Sequence, residues 1–282
     1  MQTDFMRMMG PWAMLPEALM EHRRRASSPL AASYAPVAAA DAPPQRGGGI
    51  AIIPVRGMIT PRSGMMTMLF GGTSTETLGL QVRAMVADDS IGTIVLDIDS
   101  PGGMVAGVTE LAATLRAARA VKPLIAIANN MAASAAYWIG SQATEFVATP
   151  SAMVGSIGVL MEHEDDSGLL AQAGIAVTLI SAGRYKTLGN PYEPLSDDAR
   201  AEIQALVDGA YGMFVADVAA GRGVKANAVR SGYGEGRVLT PAAALEAGMV
   251  DRIATLAEVI DRLRPRGQAG RRRAALRLAE LR

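Results

Sequence analysis

Short apolar runs alternate with helical patterns through the middle of this 282-residue chain, and that alternation restricts its fold more than any other feature. Residues 93–98 read Thr-Ile-Val-Leu-Asp-Ile and residues 124–128 read Leu-Ile-Ala-Ile-Ala. Nearly continuous apolar runs of this length suit strands buried on both faces of a sheet. Further strands are expected at 50–55, 145–148, 157–160 and 177–180, and helices at 75–87, 105–120, 132–141 and 165–173. Ser196-Asp197-Asp198 caps a long helix to about residue 220. Thr240-Pro241 opens another helix and Gly248 closes it, with proline just inside the start and glycine past the end. Strands separated by helices need crossover connections, so the expected fold is α/β, with a largely parallel sheet and flanking helices.

The ends read differently. Residues 1–48 are rich in Met, Ala and Pro and end near Pro43-Pro44 and Gly47-Gly48-Gly49, so an N-terminal appendage and linker is expected there, with a short amphipathic helix over 12–25. The remaining boundaries are a single domain at 49–264 and a basic tail at 265–282; residues 264–282 hold seven arginines against one glutamate. The stretch Met65-Met66-Thr67-Met68-Leu69-Phe70 is an expected apolar rim or groove, since exposed apolar patches mark interaction sites.

Composition narrows the function classes. The chain has no cysteine, which excludes disulfides, thiolate metal sites and a cysteine nucleophile. Its two histidines, His22 and His163, are far apart in sequence, so no metal or other cofactor is expected. Charged residues balance at 27 basic against 27 acidic, which argues against nucleic acid as a partner except through the basic tail. No apolar run reaches the roughly 18 residues that span a bilayer. The basic cluster Arg23-Arg24-Arg25 follows the apolar stretch, the reverse of a secretory signal, so a cytoplasmic location is expected.

Three motifs fall at ends of expected strands, where open α/β sheets place their ligands. In Asp97-Ile98-Asp99-Ser100-Pro101-Gly102-Gly103, the glycine pair lets backbone amides approach a ligand and donate to a developing oxyanion. The plain alternative is an ordinary strand-to-helix turn. In Met131-Ala132-Ala133-Ser134-Ala135-Ala136, a serine without an evident solvating role stands at the start of an apolar helix, the position of a nucleophile; close packing of small residues is its alternative. The third, Gly155-Ser156-Ile157-Gly158-Val159, reads as a tight turn into a strand.

The base for such a serine is read from the lysines. Lys122, Lys186 and Lys225 are the only three among 27 basic residues. Arginine stays protonated, whereas a desolvated lysine can lose its proton from an ordinary pKa of about 10.4. Lys186 follows the apolar run at 177–180, and Tyr185, Leu188 and Thr178-Leu179-Ile180 are its expected apolar walls.

In order along residues 50–264, these motifs and Gly189-Asn190-Pro191-Tyr192-Glu193-Pro194-Leu195, Arg237-Val238-Leu239-Thr240 and Ala247-Gly248-Met249-Val250-Asp251 resemble the signal peptide peptidase A (protease IV) family. The likeness is to its phage and prophage branch of head-maturation proteases. The resemblance implies a Clp-like, crotonase-type fold and a Ser-Lys dyad, with Ser134 as nucleophile and Lys186 as base. Gly103 would supply an oxyanion amide, with Gly102 beside it and Ala135 as a second donor. Many relatives carry two glycines after the serine, where this chain has Ala135 and Ala136. The implied partners are polypeptide substrates (capsid, scaffold or portal proteins) and further copies of the chain, in the host cytoplasm or prohead. The Ala-rich surroundings of Ser134 suggest small or apolar side chains at the cleavage position.

Other readings remain. A Clp-type Ser-His protease would use His163, oriented by Glu164, Asp165 or Asp166, although Met161-Glu162-His163-Glu164-Asp165-Asp166 is polar enough for a solvated turn. A peptidase that degrades signal peptides, a silent capsid or scaffold component and an acyl-CoA enzyme of crotonase type are the others.

Overall fold

The computed structural model describes residues 10–27, 41–64, 67 and 71–264. The basic tail at 265–282, and all of the Met-rich stretch at 65–70 but Thr67, lie outside the described residues.

The chain opens with β1 (Trp12–Met14) and α1 (Pro16–Ser27). After them come β2 (Gln45–Gly47), β3 (Ile50–Arg56), β4 (Met58–Thr60), β5 (Gly72–Ser74) and α2 (Thr75–Ala87). The centre is β6 (Thr93–Ser100), β7 (Gly102–Met104), α3 (Val108–Arg119), β8 (Leu124–Ala133), α4 (Ala135–Gly140), β9 (Glu145–Ala148) and β10 (Met153–Gly155). The last part is α5 (Ser167–Gln172), α6 (Asp197–Arg222), α7 (Ala226–Gly232), β11 (Val238–Leu239), α8 (Pro241–Glu246), β12 (Arg252–Ile253) and α9 (Leu256–Leu263).

The larger sheet has the order β11-β10-β8-β6-β3-β2, with β9 joined to β8 and β12 to β9. All its pairs among β3, β6, β8, β9, β10 and β12 are parallel; β2 and β11 close the two ends antiparallel. The expected apolar runs therefore lie where both faces are covered. Ile94, Leu96, Ile98, Ala126 and Ala128 face the main core with α2, α3, α4 and α6. Val95, Ile125, Ile127 and Val147 face the other side and pack on Val259 of α9. The architecture is mixed α/β, with parallel strands and flanking helices.

A smaller sheet, β1-β7-β4-β5, stands beside the ends of β6 and β8. It contains the main departures from expectation. Trp12, Ala13 and Met14 are not the start of a helix; they form a buried strand, and the helix begins at Pro16. Gly102–Met104 is a strand rather than a plain turn, because β1 and β4 pair with its two edges. The run at 177–180 forms no strand: Val177, Leu179 and Ile180 stay exposed, Ile180 almost wholly at 97%. The expected strand at 157–160 reduces to one bridge, Trp12 to Leu160.

Helix α4 is wedged between sheet and α6. Trp138 stacks on Phe214 with ring centroids 4.4 Å apart. Its indole N–H donates to Asp217 Oδ2 at 2.9 Å, and Arg116 of α3 reaches Asp217 Oδ1 at 2.9 Å. By length and composition α6 is apolar enough to cross a membrane, but here its Phe214, Val215 and Val218 are buried in the core. Removing the Asp217 carboxylate strands a buried indole N–H and leaves Arg116 with only its bond to Gln142 Oε1, so Asp217→Ala should cost about 2–3 kcal/mol in urea unfolding.

The motif ending in Asp251 has a structural task. The Asp251 carboxylate accepts the Phe146 amide at 2.7 Å and two Arg222 N–H groups at 2.7 and 2.9 Å. Burial opposes its ionisation, but the Arg222 and Phe146 bonds outweigh it and hold the carboxyl below its ordinary 3.8. A lowered folded-state value stabilises above the unfolded pKa and is lost as the pH falls through the folded one. Part of the acid destabilisation, below about pH 4, should therefore vanish in Asp251→Asn, which starts less stable at neutral pH.

Candidate active site

Strand β8 delivers Ser134. Its last residues pair with β10 (Ala132 with Val154, Ala133 with Gly155), so the strand takes the first two residues of the expected helix. The chain then turns at Ser134, with φ 56° and ψ −119°, directly into α4. Positive φ at a non-glycine residue costs on the order of 1–3 kcal/mol and persists only where its surroundings hold it. Here the Ser134 amide donates to the Gly155 carbonyl at 2.7 Å, and the Ser134 carbonyl accepts the Trp138 amide at 2.9 Å. The Ser134 hydroxyl lies 3.4 Å from the Gly158 carbonyl. A sharp strand-to-helix turn of this kind projects a serine oxygen away from the chain on either side of it. Ala135 and Ala136 need no special backbone: both are helical, and the positive φ falls on Ser134 itself.

The glycine pair packs on this turn. Gly102 has φ +101°, and a Cβ there would meet the Ala13 carbonyl oxygen and, at 2.9 Å, the Ser134 Cβ. A Cβ on Gly103 would run into the backbone of Ile59. Glycine is therefore required at both positions for strand β7 to reach the serine. Ser100 fixes the approach: its hydroxyl donates to the Gly57 carbonyl at 2.6 Å and accepts the Gly102 amide at 3.2 Å. The third motif supplies Gly155, whose carbonyl holds Ser134, and Ser156, whose amide donates to the Arg237 carbonyl at 2.8 Å. The motifs at 100–103, 131–136 and 155–159 thus converge on Ser134.

Lys186 is placed differently. Its side chain is exposed, on the loop that also exposes Leu179, Ile180 and Tyr185, so the expected apolar walls do not enclose it within this chain. It lines an open cavity of about 520 Å³ with Gly10, Trp12, His163, Ile180 and Asn190. His163 shares that cavity, and its Nε2 donates to the Asn190 carbonyl at 3.1 Å, which turns that nitrogen away from a base role toward Ser134. No group of three or more acidic, histidine or cysteine side chains able to hold a metal occurs among the described residues.

Sequence reasoning missed the part played by the N-terminal residues. Strand β1 passes between β7 and Leu160 directly over the turn at Ser134, which is wholly buried beneath it. The apolar Trp12-Ala13-Met14 run was the available signal, hidden by the helical pattern that follows.

A strained serine at the end of a parallel strand, packed on a glycine pair, belongs to a known class of protein. Residues 116–269, more than half of the chain, match peptidase family S49, and the chain belongs to that family. It is 35% identical over 212 residues to the head-tail preconnector protein GP5 of Enterobacteria phage P21, covering 75% of this chain and 42% of that protein. It is 34% identical over 216 residues to the capsid assembly protease C of Escherichia phage lambda, covering 77% and 49%. Protease 4 of Salmonella typhi is 31% identical over 212 residues, covering 75% and 33%. The chain thus spans less than half the length of these relatives.

Proposed function

We propose that this chain is a serine endopeptidase of Clp-like, crotonase-type fold that cleaves capsid, scaffold or portal polypeptides during phage head maturation. Its peptidase domain is 49–264, flanked by the segment 1–48 and the tail 265–282. The observation that carries the reading is the strained turn at Ser134 against Gly102 and Gly103. Ser134 is the nucleophile. The Gly103 and Ala135 amides hold the oxyanion of the tetrahedral intermediate, where donors in a dry site are worth the most. Gly102 leaves the space that brings β7 beside the serine.

Lys186 is the general base. Within one chain it is exposed, and a base role needs it shielded from water by association. The exposed Leu179, Ile180 and Tyr185 beside it support a homo-oligomer in which a second copy covers this loop. The chemistry needs no cofactor. The two phage relatives are named a head-tail preconnector protein and a capsid assembly protease, which supports a prohead or host-cytoplasm setting for this chain. The test is incubation of the purified protein with the capsid, scaffold and portal proteins of the same phage or prophage. Mass spectrometry should find new termini that are absent with Ser134→Ala. Identical products from both proteins would exclude Ser134 as the nucleophile.

A further inference from the structure

Strand β1 lies over Ser134 in the manner of a bound peptide. It is paired on both edges. On one side the Val105 amide donates to the Pro11 carbonyl at 3.1 Å, and the Leu15 amide donates to the Pro101 carbonyl at 3.0 Å. On the other, Trp12 and Leu160 exchange amide and carbonyl at 2.9 Å in both directions. An extended segment paired antiparallel with a strand on one edge and bridged through its backbone on the other is how a protein grips a polypeptide regardless of side chains.

The register identifies the bond presented to the serine. Trp12 stands opposite Met104, Ala13 opposite Gly103 and Met14 opposite Gly102. Antiparallel pairs alternate between those that exchange hydrogen bonds and those that do not. The bonds at Pro11 and Leu15 bracket Ala13 and Gly103 as the exchanging pair, so the Gly103 amide is directed at the Ala13 carbonyl. That carbonyl oxygen and the Ser134 Cβ both crowd the one point where a Gly102 Cβ would sit. The carbonyls of Trp12 and Met14 face the Leu160 side instead, by the alternation of a strand. Ala13 is fully buried, and its methyl is the smallest side chain the groove can hold short of glycine.

We infer that the Ala13–Met14 bond of this chain is a self-cleavage site of Ser134. The inference rests on the function proposed above. The Ser134 oxygen adds to the Ala13 carbonyl carbon, and its proton passes to the neutral Lys186 amine. The oxyanion forms at the Gly103 amide. The carbon–nitrogen bond to Met14 breaks, and the proton held by Lys186 moves to the Met14 nitrogen, which leaves as an amine. Water then adds to the Ala13 acyl group on Ser134, its proton passing through the same amine to the departing serine oxygen. The products are residues 1–13 with a carboxylate at Ala13, and a chain beginning at Met14 with an open groove. Cleavage and activation are thus one event, since β1 covers the serine until it is cut.

The test compares intact mass and N-terminal sequence of the full chain, freshly made and after incubation, for the wild type, Ser134→Ala and Ala13→Arg. The expected result is a wild-type chain that loses residues 1–13 and starts at Met14, while both variants stay uncut at that bond. Because the bond is presented within the same molecule, the rate should not change with protein concentration once the chains are fully associated. Added wild-type enzyme should cut Ser134→Ala at least about tenfold more slowly than it cuts itself. The synthetic peptide Gly-Pro-Trp-Ala-Met-Leu-Pro-Glu-Ala, residues 10–18, is assayed alongside. If that peptide is hydrolysed while the wild-type chain stays whole at 13–14, self-cleavage is wrong and the peptidase reading stands. Cutting of Ser134→Ala in the mixture as fast as the wild type cuts itself also overturns the intramolecular site. If neither chain nor peptide is cleaved and no serine-directed reagent reacts, the peptidase reading fails and takes this inference with it.

Discussion

Ser134→Ala is expected to lower peptide hydrolysis by at least about 10⁴-fold while leaving the protein folded. The proposed chemistry has one nucleophilic oxygen, that of Ser134. The fold should tolerate the change because the strain lies in the backbone. Alanine adopts φ 56° at about the same cost as serine, and the amide bond from residue 134 to Gly155 is untouched. Removing the hydroxyl gives up its 3.4 Å approach to the Gly158 carbonyl, which is long for a hydrogen bond and worth little. Circular dichroism and urea unfolding should therefore match the wild type within about 1 kcal/mol. Retained hydrolysis by a folded Ser134→Ala would remove the serine from the chemistry.

Lys186→Arg should be as inactive as Lys186→Ala, with a loss of at least about 10³-fold. Arginine keeps the charge and most of the length but does not give up its proton at any pH the protein survives. A role in ion pairing or substrate attraction would be rescued by arginine; a role as base would not. His163→Ala should keep most of the activity, since its Nε2 is engaged with the Asn190 carbonyl. The opposite pattern, an active Lys186→Arg with an inactive His163→Ala, would make histidine the base.

The parallel sheet was legible because its strands are written as local apolar runs. Residues 93–98 and 145–148 have little choice once both faces are covered, and Thr75–Ala87 and the Ser196 cap stand where local pattern put them. What was not legible depends on partners distant in the chain. Trp12–Met14 becomes a strand only because Gly102–Met104 offers it an edge, and nothing near Trp12 announces that. Residues 177–180 have the composition of a strand without an edge to join, and β propensity without pairing leaves a loop. At the site, the glycine pair and the serine were readable as residue types in an order. The positive φ at Ser134 was not, because it is imposed by β10 on one side and α4 on the other. The exposure of Lys186 was not legible either, since burial of a loop is decided by what packs on it.

The central claim is that Ser134 is an activated nucleophile, and covalent labelling tests it most directly. The full chain, incubated until residues 1–13 are released from over Ser134, is treated with a fluorophosphonate, digested and mapped by mass spectrometry. The expected result is one label per chain, on the Ser134 oxygen, absent from Ser134→Ala and strongly reduced in Lys186→Arg. A protein that hydrolyses peptides while Ser134 stays unlabelled, or that carries its label on another residue, would contradict the account.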